Sequence, residues 1–188
     1  MSKSYDFRRM IVADLPLVNG WLETPAVQEW WIDANGQPSN PMSDEDLGDP
    51  HVAMWIVSFE REPFAFIQDY DPHAWDGHHF GYLPLGSRGV DQFIGRPEMI
   101  GRGHGSALIL AHVDALFAGG VPAVGTDPHP SNARAIRAYE KAGFVRGETR
   151  MTEWGECLLM VRQLITQQLG VQPSTLYRHI PDERSSLG

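Results

Sequence analysis

Tyr5 and Phe7 alternate with Asp6 and Arg8, the period of a half-buried strand over residues 5–10. The spacing then lengthens. Leu15, Leu17, Val18, Trp21 and Leu22 recur at helical intervals, with Asp14 at the capping position and Pro16 in the first turn. Thr24-Pro25 starts a second short helix that runs through Trp30-Trp31. Residues 35–50 are rich in Gly, Pro, Asn, Ser and Asp and read as a loop, with a short helix around 44–47. Strands are predicted over 51–59 and 64–70, joined as a hairpin across Glu62-Pro63. Residues 71–86 are aromatic and polar, and read as a loop of a functional site. A buried strand follows over 90–94. A helix over 104–117 turns Leu110, Val113, Leu116 and Phe117 inward and stops at Gly119-Gly120. Residues 121–125 are a strand, and 131–142 a helix capped by Ser131 and ended by Gly143. A closing hairpin pairs 144–151 with 156–161.

This alternation predicts an α/β chain with a mixed sheet and helices on both faces. At 188 residues it is long enough for one full core and too short for two ordinary domains. No apolar run reaches membrane-spanning length, and Met1-Ser2-Lys3-Ser4 begins no apolar signal segment, so a cytoplasmic protein without a membrane partner is expected. The single cysteine, Cys157, excludes an internal disulfide and offers no metal-site spacing. A net charge of −9 argues against a nucleic-acid surface and suits cationic partners.

The chemistry concentrates in three pieces. Arg102-Gly103-His104-Gly105-Ser106-Ala107 is a glycine-rich turn running into a helix, where backbone N–H groups can point at a phosphate. Asp127-Pro128-His129-Pro130-Ser131-Asn132 follows. Then Ala138-Tyr139-Glu140-Lys141-Ala142-Gly143-Phe144 sets a phenol on a helix. A pyrophosphate cradle beside a phenol suits acyl transfer from a CoA thioester.

These pieces resemble the acetyl-CoA-binding core of the GNAT N-acetyltransferases, whose loop Arg/Gln-x-x-Gly-x-Gly/Ala is met by Arg102, Gly105 and Ala107. Asp76-Gly77, the run from Gly86 to Gln92, Thr126-Asp127-Pro128 and the segment around Tyr139 resemble the aminoglycoside 6′-N-acetyltransferases. The resemblance spans about residues 5–163 and leaves 164–188 as an extension of unknown role. It implies a GNAT fold with a mixed, mostly antiparallel sheet, acetyl-CoA as co-substrate, no metal, and acetylation of the 6′-amine of aminoglycosides. It further implies acetyl-CoA contacts from Ile94, Arg102, Gly103, His104, Gly105, Ser106, Ala107, Asn132, Ala135 and Tyr139. Asp91 and Tyr139 take the catalytic roles, Tyr139 as the acid that protonates the leaving thiolate. Trp30, Trp31, Asp76, Asp91, Asp127 and Glu153 line the acceptor site. A monomer or homodimer fits.

Each residue has a plainer reading too. Asp91 interrupts the apolar run Val90-Asp91-Gln92-Phe93-Ile94, and burying a lone carboxylate costs several kcal/mol without a partner, which invites a functional role. Asp76 equally suits a solvated Asp-Gly turn, Asp127 an Asx turn, Asn132 a helix cap, Tyr139 a packing role, and Trp30-Trp31 the core. His73, His78 and His79 read as a polar loop rather than a metal site. Residues 167–180 resemble the turn and second helix of a helix-turn-helix, without a complete three-helix unit before them, so a tail or an added helix is the simpler reading. The rival reactions are acylation of a hydroxylated amine in siderophore assembly and, from another class, nucleic-acid binding through the tail.

Overall fold

The computed structural model describes residues 4–33 and 35–164. Twelve named elements follow one another. The first strand, β1 (Tyr5–Arg9), leads through a single 3-10 turn into α1 (Leu15–Leu22), α2 (Pro25–Gln28) and α3 (Asp44–Gly48). The strands β2 (Val52–Phe59), β3 (Glu62–Tyr70) and β4 (Arg88–Ile94) precede α4 (His104–Ala118). The chain closes with β5 (Ala123–Thr126), α5 (Ala133–Lys141), β6 (Val145–Thr152) and β7 (Gly155–Gln163). The sheet order is β1-β2-β3-β4-β5-β7-β6, and every neighbouring pair is antiparallel except β4 with β5.

Two-residue periodicity sorts the strands onto two faces. Val57, Ala65, Ile67, Val90 and Val124 meet Leu108, Ile109 and Val113 of α4 and Ile136 and Tyr139 of α5. On the other face Met54, Ile56, Phe66 and Phe93 meet Val18, Trp21, Leu22 and Val27. Phe80 and Leu83 of the 71–87 loop cover Ala123, Cys157 and Leu159.

The structure corrects several local expectations. Leu110 is 38% exposed, and the inward stripe of α4 is Leu108, Ile109, His112 and Val113, whose spacing places them on one helix face and leaves Leu110 off it. Leu17 is likewise exposed on α1. Asp14 makes no side-chain cap; its carboxylate takes two hydrogen bonds from the Arg8 guanidinium and one from the Ile11 N–H. The β2–β3 turn is Glu60-Arg61, at φ 52° and 69°, so Glu62 and Pro63 already belong to β3. Pro63 pairs with Ser58 beside a register shift, where a missing N–H is tolerated. Asn132, not Ser131, caps α5, its Oδ1 accepting from the Ala135 N–H at 3.1 Å. The helix-turn-helix-like segment lies outside the described residues. Among the described residues no helix is long and apolar enough to cross a membrane.

A second carboxylate lies inside an apolar strand, at Asp69 of β3. Asp69, 3% exposed, accepts from Trp55 Nε1 at 2.9 Å and Arg88 Nε at 2.9 Å, and stands 3.0 Å from His112 Nε2. It ties β2, β3, β4 and α4 together, just before β4 carries Asp91 into the site.

Candidate active site

β4 and β5 pair at only two positions, Arg88 with Val124 and Gly89 with Gly125. Beyond them the strands part. β4 stays with β3, out to Ile94 opposite Ala65, while β5 stays with β7. Aromatic rings occupy both glycines: a Cβ on Gly89 would lie 2.1 Å from the Tyr70 ring, and one on Gly125 would lie 2.8 Å from Phe80. The resulting gap opens into a cavity on each side. One, of about 390 Å³, is bounded by Ile94, the start of α4 and the α5 face bearing Ala135, Ala138 and Tyr139. The other, of about 420 Å³, lies toward α3, the 71–87 loop and the β6–β7 turn. Trp30, Trp31, Asp91, Asp127 and His129 line both, so the cavities meet at the two carboxylates.

The first cavity suits a phosphorylated, partly apolar ligand. Gly101 and Gly103 take left-handed φ of 79° and 77°, which turns the chain sharply into α4, and Gly103 caps the helix without a side-chain bond. The amides of the first turn remain for an anion. At Gly105 the nearest atoms to an added Cβ, on Ala138 and Ile94, are 3.9 Å away. Gly103, Gly105, Ser106, Asn132 and Ala135 line this cavity together with Arg134, Arg137 and Lys141. Those three cations, spaced along one side of α5, were legible as a helical pattern but were passed over in the sequence. Arg102 is exposed and does not line the cavity, and neither does Ala107. His104 does not line the cavity either: the residue is 4% exposed, with Nδ1 2.9 Å from the Tyr5 hydroxyl and Phe59 and Phe64 around its ring.

The second cavity is acidic. Asp46, Asp49, Asp91, Asp127, Glu153 and Glu156 line it, and no Lys or Arg among the described residues does. Aromatic walls come from Trp30, Trp31, Tyr70, Trp75 and Trp154. Trp31 divides its role, since it also packs edge-on against Phe66 and Phe93. Asp76 stands apart, exposed on a turn with Gly77 at φ 77°, and lines neither cavity.

At the junction Asp91 accepts one hydrogen bond, from Gln68 Nε2 at 3.0 Å. Burial and then the Asp127 charge push its carboxyl up to about 7, while Gln68 and His79 pull the other way. The Tyr139 phenol is 4% exposed, and burial followed by the Asp91 charge raises its pKa. Tyr70 is raised by burial and by the same two carboxylates, and the Cys157 thiol is pushed up to about 11, chiefly by burial. The arrangement can therefore hold a cation, accept a proton near neutral pH, and keep a phenol protonated beside the gap. Gln68 and His79 were missed in the sequence. Gln68 carried a signal, a polar residue in the apolar run of β3; the approach of His79 to Asp127 carried none.

The profile of the Acetyltransferase (GNAT) domain family matches residues 10–152. Aminoglycoside N(6′)-acetyltransferase type 1 of Klebsiella pneumoniae is 34% identical over 166 residues, covering 85% of this chain and 83% of that protein. A kanamycin resistance protein of Rhizobium radiobacter is 46% identical over 78 residues, covering 41% of this chain and 72% of that protein. Among solved structures, aminoglycoside acetyltransferase AAC(6′)-Ib in complex with coenzyme A and kanamycin superposes with a TM-score of 0.75 at 34% identity, covering 85% of this chain and 95% of that one.

Proposed function

The chain belongs to the GNAT acetyltransferase family, and on that premise we propose that it moves the acetyl group of acetyl-CoA to the 6′-amine of aminoglycoside antibiotics. The observation that carries this reading is the segregation of charge across the strand gap. Arg134, Arg137 and Lys141 border the cavity at the α4 start, and six carboxylates border the other. A polyphosphate and a polyamine thus approach one junction from opposite sides.

The amides of the α4 first turn hold the pyrophosphate, and the wall of Ile94, Ala135 and Ala138 takes the thioester arm. Asp91 and Asp127 hold the acceptor ammonium. An ammonium has no lone pair, so one proton must leave before attack; Asp91, with its carboxyl near 7, accepts it. The C–N bond forms as the C–S bond breaks. Tyr139 supplies a proton to the departing sulfur, and the second proton that the acylated nitrogen must lose returns to Tyr139 through solvent, leaving a neutral amide and a thiol. Residues 1–163 form the catalytic domain in this reading, with 164–188 an extension outside it, and the enzyme works in the cytoplasm.

Turnover of acetyl-CoA with kanamycin-type drugs, beside hydroxylysine-type amines, tests the assignment. Acetylation at the 6′-amine, with a rise in melting temperature at saturating acetyl-CoA, is expected. Transfer only to the hydroxylated amines would overturn the drug as substrate, and absence of transfer to any amine would overturn the enzyme.

A further inference from the structure

The Tyr139 oxygen carries charge between giving its proton to the sulfur and regaining one. Burial, then the Asp91 charge, work against that charge. Two polar side chains stand on the same side of the strand gap, and the chemistry above uses neither.

β4 and β5 send one each. Gln92 lies opposite Ile67, and Thr126 opposite Met160. Ile67 and Met160 belong, with Val90, Val124 and Tyr139, to the core under α4 and α5. Side chains alternate along a strand, so Gln92 and Thr126 share the face of Val90 and Val124, two residues earlier, and look toward α5. Asp91, between Val90 and Gln92, turns to the opposite face with Phe93. Gln92, Thr126 and Tyr139 accordingly line the first cavity and not the second.

Both are polar where an apolar side chain would pack. Thr126 is 1% exposed. The Gln92 Oε1 is buried without a hydrogen-bond partner, a costly state that a leucine there would avoid. With Oε1 shut away, Nε2 is the end of the amide left to serve the cavity, and it is a donor. Hydrogen bonding by Thr126 and by Gln92 pulls the Tyr139 phenol down against its burial.

We propose that Gln92 and Thr126 are positioning residues for Tyr139: the Gln92 Nε2 group, from β4, and the Thr126 hydroxyl, from β5, donate to the phenol oxygen. Two donors occupy its lone pairs and leave its own O–H directed at the sulfur. Once the proton has moved, the same two donors hold the phenolate until a proton returns through solvent. This inference rests on the acetylation reading above.

Single-turnover acetylation of a kanamycin-type drug at saturating acetyl-CoA tests it. Thr126→Val keeps the shape and removes the hydroxyl; Gln92→Met keeps the length and removes the amide. Each should slow transfer about three- to tenfold, with the KM for acetyl-CoA nearly kept. Thr126→Ser, which keeps the donor, should stay close to the parent. In a Tyr139→Phe background, where no phenol oxygen remains, Thr126→Val and Gln92→Met should have no further effect. If Thr126→Val does not fold, Thr126→Ala takes its place in both backgrounds. An unchanged rate in either variant, or the same fall with and without the phenol, overturns the inference, as does a Tyr139→Phe protein as fast as the parent. A parent that binds acetyl-CoA but acetylates no drug overturns the acetylation reading itself, and this inference with it, a result distinct from unchanged variants.

Discussion

Gln68 and Asp91 lie directly opposite each other in the β3–β4 register, and the Gln68 amide donates to the Asp91 carboxylate at 3.0 Å. This is the one hydrogen bond Asp91 receives within the described residues, and it leaves the other carboxylate oxygen for an acceptor. Asp91→Asn keeps the shape and removes the charge. Loss of a charge-assisted contact should cost about 1.5–3 kcal/mol, roughly ten- to a hundredfold in kcat/KM for aminoglycosides. Steady-state kinetics with a folded variant check this; a variant as fast as the parent would make Asp91 structural.

The same substitution should remove a pH dependence of stability. Asp91 titrates near 7 in the folded chain against an ordinary value of 3.8. The folded state therefore binds the extra proton between those values. Its contribution is full below about 4 and is lost as pH rises through about 7. The melting temperature of Asp91→Asn should gain on that of the parent from pH 4 to pH 8.

Asp127 is one cause of the raised Asp91 carboxyl, after burial. Asp127→Asn should therefore move the acidic limb of the kcat/KM profile, expected near pH 7 in the parent, to lower pH. Aminoglycoside KM should rise at the same time. An acidic limb that stays in place would assign it to another group.

Tyr139→Phe keeps the buried ring and its packing against Phe144, at 5.3 Å between centroids. We expect kcat to fall about tenfold or more, with the KM for acetyl-CoA nearly kept, as for removal of a general acid. An unchanged kcat in a chemistry-limited assay would show that another group protonates the sulfur.

Asp69→Ala should act on stability rather than chemistry. It strands Arg88 and His112, both held by a carboxylate that is 3% exposed. Breaking such a buried group should cost about 3–5 kcal/mol, read from denaturant unfolding. A loss under about 1 kcal/mol would mean that water or a neighbour takes over the freed groups.

Local pattern was enough to order the strands and helices of this chain, because periods of two and of 3.6 are written in neighbouring residues. The glycine turn into α4, the carboxylate of Asp91 inside an apolar strand, and the Tyr139 phenol were legible for the same reason. The tertiary structure decided which groups meet. The gap between β4 and β5 exists because each strand keeps its other neighbour, a matter of pairing between segments distant along the chain. That gap brings Asp127 and His79 to Asp91, and the cavity beside it gathers six carboxylates from four stretches of the chain, while Asp76 stays on an exposed turn. Burial then sets the chemistry. The same Asp91 side chain in an open loop would titrate as an ordinary carboxylate, and only its place between two cavities raises it to about 7.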